Sequence, residues 1–318
     1  MSPETPSIAH RPILPWANAE HLLRPLTWIW SHRISIALLL LLAVAALPAW
    51  RHLYPVTAAS GWDYSVRLDA VERVSALVAD DKRGLYISQE MQNGEGRILR
   101  LAPDQKLSAV ELGLSKPDGM VRYQGGVALS QEQGEHPVLL MDNHGTHELF
   151  SANSVEGLAT DGHYLYAVED LHGDGRLLRY DPQTERVITL RTGLDEAEGI
   201  TSCPDGRIFY TEKQLGHIKQ LQAEGRDTIV ARGLREPGFL LCNNEGLWVT
   251  EDATHMARVL RLDSAGALHT VLTHLRSPQS IIETAPGRYL VAEQGRNRIL
   301  ELQREVGPIK LPSLAWEL

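Results

Sequence analysis

Three carboxylates stand at matching places in consecutive stretches of the chain: Asp118 in PDGM, Glu156 in VEGLA and Glu198 in AEGIT. The same slot reads about Ser75, Pro237 and Gln279 in the other stretches, so the acids gather on one side instead of repeating throughout. Carboxylates brought together repel unless something positive sits among them. A hard divalent cation with oxygen ligands, Ca²⁺ foremost, would satisfy them and could polarise a carbonyl or ester oxygen as a Lewis acid. Asp118, Glu156 and Glu198 are the candidate metal ligands. The competing role for them is to cap the preceding loop by accepting backbone N–H groups of the glycine-containing turn. Hydrolysis needs a group to activate water, and Glu198, His172 and His255 are the candidates, both histidines falling in turns on the rim where the three acids lie.

A second acid closes a short apolar strand again and again: Glu90 (LYISQE), Glu132 (GVALSQE), Glu169 (LYAVE), Glu212 (IFYTE), Glu251 (LWVTE) and Glu293 (YLVAE), at spacings of 42, 37, 43, 39 and 42. A residue that recurs in every unit serves the unit. Four of these glutamates are followed by Arg five or seven residues on, which suits a charge-assisted pair across the turn to the next strand. Asp170 to Gly175, DLHGDG, imitates the start of a calcium loop, but it lies in a strand-to-strand turn and reads as a turn. No G-x-S-x-G elbow, H-E-x-x-H, P-loop or dinucleotide fingerprint occurs, so the common serine hydrolases and nucleotide enzymes are excluded by motif.

The elements that must hold these acids follow from the repeat. Each unit has a strand opening at the first slot, a strand ending in glutamate, a third opened by a basic residue (RILRL, RLLRY, RVLRL, RILEL) and a fourth after a polar turn. Four short strands at this period make a propeller blade, and six units make an all-β, six-bladed β-propeller. After Glu293 only a weak fourth strand, IKL, remains, whereas DYSVRL at Asp63 to Leu68 has no partner; this N-terminal strand is expected to complete the last blade and lock the ring.

Ahead of the repeats, ISIALLLLLAVAALPAW (Ile34 to Trp50) is an uncharged apolar run at the short end of what spans a bilayer, flanked by Trp28, Trp30, Trp50 and Tyr54. The chain therefore divides into a cytoplasmic segment 1–33, a transmembrane signal anchor 34–50, a linker 51–61 and a propeller 62–318, with a cleaved signal as the alternative to an anchor. The propeller is placed outside the cytoplasm, in a periplasmic, luminal or extracellular compartment. The formal charge of −9 disfavours a nucleic-acid partner. Cys203 and Cys242 exclude a disulfide scaffold; they read as two buried thiols, because neighbouring blades splay, with a single disulfide as the other possibility.

The blade rhythm, E-G-[LI] then LY-x-x-E then R-[IL]-L, resembles the six-bladed propellers of the gluconolactonase, strictosidine-synthase-like and NHL-repeat superfamily from Trp62 onward. The resemblance implies a metal held at this end of the channel by side chains of several inner strands, and so the same candidates. The expected function is a membrane-anchored, exported, calcium-type hydrolase of a small lactone or ester. The alternative is a non-catalytic propeller that binds a protein or glycan partner near the membrane.

Overall fold

A computed structural model describes residues 33–80 and 83–305. The N-terminal unit contributes one helix, Arg33–Leu53, whose Leu38 to Leu42 are exposed. Among the described residues no helix is long and apolar enough to cross a membrane. The segment expected in the cytoplasm, but for Arg33, and the IKL strand both lie outside the described residues.

From Pro55 onward the chain forms six antiparallel sheets. Blade 1 runs Val74–Ala79, Leu85–Gln89, Gly96–Leu101, Leu107–Leu114, and blade 2 runs Met120–Tyr123, Gly126–Leu129, Glu135–Asp142, Gly145–Asn153. Blade 3 runs Val155–Thr160, Leu165–Glu169, Gly175–Asp181, Arg186–Leu194, and blade 4 runs Ile200–Ser202, Ile208–Glu212, His217–Gln220, Thr228–Ala231. Blade 5 runs Pro237–Asn243, Gly246–Glu251, Ala257–Leu262, Leu268–Leu275, with Thr57–Ala58 added to its outer edge. Blade 6 takes Pro278–Ala285, Arg288–Glu293 and Arg298–Arg304, and its outer strand is Trp62–Leu68, pairing Trp62 with Arg304. The expected closure by the N-terminal strand is therefore present.

Burial explains the strand patterns. Second strands such as Leu165–Glu169 are buried along their whole length, because a blade packs on both faces against its neighbours. Outer strands such as Arg186–Leu194 are largely exposed. The apolar core divides into six clusters, one between each neighbouring pair of blades. Inner strands come closest together at the axis. A Cβ on Gly119, Gly157 or Gly199 would collide with the backbone oxygen of Glu156, Glu198 or Gly238 on the next blade, which is why glycine follows the acid in PDG, VEG and AEG.

The same convergence corrects the expectation for the cysteines. Cys203 and Cys242 form a disulfide, with Cα atoms 4.9 Å apart. Blades splay only away from the axis, whereas these residues belong to the inner strands of blades 4 and 5 or their immediate ends, where the gap is narrowest.

Candidate active site at the channel mouth

Strand register, not residue type, identifies the equivalent positions. Glu169, Glu251 and Glu293 lie opposite Val155, Pro237 and Pro278 on the inner strands, and the residue in that register in blade 1 is Gln89, opposite Val74. The equivalent residues at or just beyond the ends of the second strands are thus Gln89, Gln131, Glu169, Glu212, Glu251 and Glu293. Their side chains brace the blades: the backbone N–H groups of Ser115, Asn153, Arg235 and Arg276 donate to Gln131, Glu169, Glu251 and Glu293. Arg176, Arg258 and Arg298 complete the expected pairs with Glu169, Glu251 and Glu293 through Nε at 2.6–2.7 Å. The expected pair of Glu90 with Arg97 does not form. Glu90 instead meets Arg73 at 3.7 Å and Lys116 at 3.5 Å.

Glu90 and Glu132 belong to the next position, together with Asp170, Lys213, Asp252 and Gln294. In all six blades the backbone N–H there donates to the carbonyl of a residue on the entry to the inner strand: Arg73, Lys116, Ser154, Glu196, Glu236 and Ser277. Those six acceptors all adopt left-handed backbone, with φ of 40–54° and no glycine among them. A side-chain-bearing residue there costs roughly 1–2 kcal/mol, and the repeated hydrogen bond holds it. One residue along a strand turns a side chain to the other face, so the first set points into the blades and the second joins the inner-strand slots at the axis. Register also corrects one slot: the equivalent of Glu198 in blade 5 is Gly238, one residue past Pro237.

The mouth therefore collects Asp118, Glu156 and Glu198, which are 2%, 3% and 1% exposed, with Glu90, Glu132, Asp170 and Asp252. Two ammonium groups absent from the sequence reading sit among these acids. Lys213 Nζ lies 3.1 Å from Glu198 and 2.8 Å from Asp252. Lys116 contacts Glu132 as well as Glu90. Burial opposes the charge of both lysines, yet the surrounding carboxylates outweigh it and hold both above the ordinary lysine value. Burial pushes Glu198 up to about 8 and Glu90 to about 7, the latter helped by the charge of Asp118. Glu132 and Asp170 are raised by burial too. Burial, reinforced by Glu198, Glu132, Asp118 and Asp170, raises Glu156 well above the carboxylate range.

The backbone N–H groups after Asp118 and Glu198 donate to Ser130 and Thr211, so loop capping in those turns is done by hydroxyls of the second strand. Asp118 accepts from Ser75. Two groups of three acids have carboxylate oxygens within 4.8 Å of one another, Glu90–Asp118–Glu132 and Glu132–Glu156–Asp170. Lys116 occupies the first. The second has an oxygen-only donor set suited to a hard cation, and Asp170 Oδ1 is buried there with no hydrogen-bond partner. Glu198 stands beside this group, paired with Lys213. His172, in the turn after Asp170, is exposed and places Nδ1 2.9 Å from Asp195. His255 lies in the corresponding turn of blade 5, its carbonyl accepting from Arg235. A cleft of about 790 Å³ opens elsewhere, over the Cys203–Cys242 disulfide and beside Arg261 and Arg304.

No protein-family model and no curated protein matches the chain. Solved structures share its fold. A gluconolactonase from Xanthomonas campestris matches at 15% identity with a TM-score of 0.64, over 78% of this chain and 91% of that one. An auxiliary nutrient binding protein from Bacteroides thetaiotaomicron matches at 17% identity and 0.59, over 74% and 69%. A virginiamycin B lyase from Staphylococcus aureus matches at 15% identity and 0.55, over 79% and 94%. The chain is a six-bladed β-propeller resembling gluconolactonases and virginiamycin B lyases in fold.

Proposed function

We propose that the chain is an exported, membrane-anchored hydrolase of a small lactone or ester that works at the acidic mouth with one hard divalent cation, Ca²⁺ or a similar ion. The observation that carries this reading is the Glu132–Glu156–Asp170 group, whose three carboxylates converge within 4.8 Å and in which Asp170 Oδ1 is buried without a hydrogen-bond partner. Those three would hold the ion, with Asp118 and Glu198 next to them. When bound, the ion would supply Lewis-acid polarisation of the substrate carbonyl. Glu198, whose carboxyl burial raises in the cation-free chain, would donate a proton to the leaving oxygen as the acyl C–O bond breaks. His172, steadied by Asp195, takes the proton of the attacking water from the rim, with His255 as the other candidate. Export is supported by the Cys203–Cys242 bond, which persists in oxidising compartments. Anchoring rests on the apolar run 34–50.

The test pairs thermal unfolding of the full chain, in calcium and in chelator, with acid release from a panel of lactones and esters by pH-stat. Stabilisation by calcium and turnover lost in Glu156→Gln are expected; equal melting in both buffers overturns the cation, and no turnover across the panel overturns the hydrolase. In the latter case a propeller that binds a small molecule or glycan is the better reading, and the cleft of about 790 Å³ has the size for it.

A further inference from the structure

Lys116 is tied on both sides to the strand ends that carry two of the mouth acids. Its backbone N–H donates to the carbonyl of Met91, the residue after Glu90, at 2.7 Å, and its own carbonyl accepts the N–H of Glu132 at 2.9 Å. The side chain then turns back to the same two acids, with Nζ 3.5 Å from Glu90 and in contact with Glu132. Asp118 completes the group, its carboxylate within 4.8 Å of the other two and its charge acting on the lysine. Three carboxylates thus gather about one ammonium, whose place is fixed by backbone as well as by charge.

The neighbouring group, Glu132–Glu156–Asp170, shares Glu132 and is built alike, but an oxygen of Asp170 stands there without a donor. One carboxylate common to two adjoining groups is how two cations a few ångström apart would share a ligand; two-metal hydrolytic sites hold their ions about 3.5–4 Å apart. An ammonium and a hard cation ask for nearly the same cage, since N⁺–H···O⁻ contacts run about 2.7–2.9 Å and Ca²⁺–O contacts about 2.3–2.6 Å. Their chemistry differs. The ammonium only donates hydrogen bonds, whereas a metal ion can keep a position open for a substrate oxygen.

We propose that Lys116 is the second cation of the mouth, a tethered ammonium that closes the Glu90–Asp118–Glu132 group to metal, so that the site takes one free ion linked through Glu132 to one fixed positive charge. The inference rests on the placement of the ion at Glu132–Glu156–Asp170 and goes beyond it: the number of ions is one, and Lewis-acid chemistry falls to a single metal. Lys213 has no such role. It faces Glu198 and Asp252, and among the described residues no third acid converges with those two.

Ser154 and Ser277 hold the position of Lys116 in blades 3 and 6, with the same left-handed backbone and the same two backbone hydrogen bonds. Lys116→Ser therefore keeps the turn and empties the cage. The full chain, freed of metal with a chelator, is titrated with calcium by calorimetry, and bound calcium is counted by elemental analysis after gel filtration. The wild type is expected to take one ion and Lys116→Ser two. Adding Asp118→Asn, which alters the first group and not the second, should return the count to one, while Lys116→Arg and Lys213→Ser stay at one. Lys116→Gly, equally suited to a φ of 54°, repeats the measurement if Lys116→Ser does not fold. One ion in both the wild type and the folded Lys116 variant overturns the proposal and leaves the cation of the hydrolase reading standing. Two ions in the wild type, or a second ion gained in Lys213→Ser, also overturns it. No ion in the wild type but one in Lys116→Ser upholds the tethered cation and overturns the ion at Glu132–Glu156–Asp170, and no ion in either overturns both.

Discussion

Glu293, buried at the end of its second strand, and Glu132, partly buried just beyond the end of its own, stand one position apart in register, and their surroundings are opposite. Glu293 turns into blade 6, where Arg296, Arg298 and the N–H of Arg276 compensate its charge. Glu132 turns to the axis, where it meets one lysine and four other carboxylates, Glu90 and Asp118 in one group and Glu156 and Asp170 in the other. The first arrangement is closed: each oxygen has a basic or backbone partner. The second is underneutralised and can accept another cation. In a repeated fold, the half-turn between neighbouring strand positions separates bracing from chemistry more sharply than residue type does.

That contrast can be broken by substitution. Glu293→Gln removes the carboxylate between two guanidinium groups that are only 15% and 19% exposed, leaving Arg298 without its ion-pair partner, and should cost on the order of 3 kcal/mol in urea unfolding. Glu132→Gln, without added cation, should cost far less, because it also relieves repulsion. Equal losses would erase the distinction. Next in size, calcium at about a hundred times its Kd should stabilise the wild type by about 2.7 kcal/mol. Glu156→Gln and Asp170→Asn should abolish that gain while Glu169→Gln keeps it; a gain surviving in all three places the ion elsewhere.

A smaller effect is expected from pH. Glu90 faces Asp118, Lys116, Arg73 and Gln294, and Glu198 faces Lys213, Asp252, Glu156 and Asp170. Both are raised by burial from 4.5, to about 7 and about 8, so between those values and 4.5 the folded chain holds protons that the unfolded chain has lost. Stability is then fully present below about pH 4.5 for these two groups and falls as pH rises through 7 and 8. Unfolding of the cation-free protein at pH 5.5 and 8.5 should show the lower value at 8.5 in the wild type and a smaller difference in Glu198→Gln. The least effect belongs to Arg73, half exposed and 3.7 Å from Glu90: Arg73→Met should change stability by less than about 1 kcal/mol.

The blade count, the strand order and the closing role of Asp63 to Leu68 were legible because a four-stranded sheet imposes its period on the sequence. The inner-slot acids were legible for the same reason, each marked by the glycine its neighbour demands. The second ring was misread in two blades: SQE in blades 1 and 2 was aligned on its glutamate, although Gln89 and Gln131 hold the structural register and Glu90 and Glu132 face the axis with Asp170. Aligning LYISQE on YAVED would have exposed it. Lys213 was visible in that alignment too. Lys116 was not, because the left-handed turn that aims it carries no glycine in any blade and so leaves no sequence mark. The disulfide escaped because sequence spacing says nothing about how close two blades come at the axis.

The pairing of Trp62 with Arg304 has a consequence for synthesis. Blades 1 to 5 are built from contiguous hairpins and can assemble as the chain emerges, whereas blade 6 must recruit a strand made some 240 residues earlier. Closing so long a loop carries the largest entropic cost in the molecule and comes late. Until the last strand is free, the nascent ring is an open crescent whose first and sixth inner strands face solvent, and a ribosome stalled before Arg304 would present that crescent, with its apolar edges, to the folding machinery of the cell.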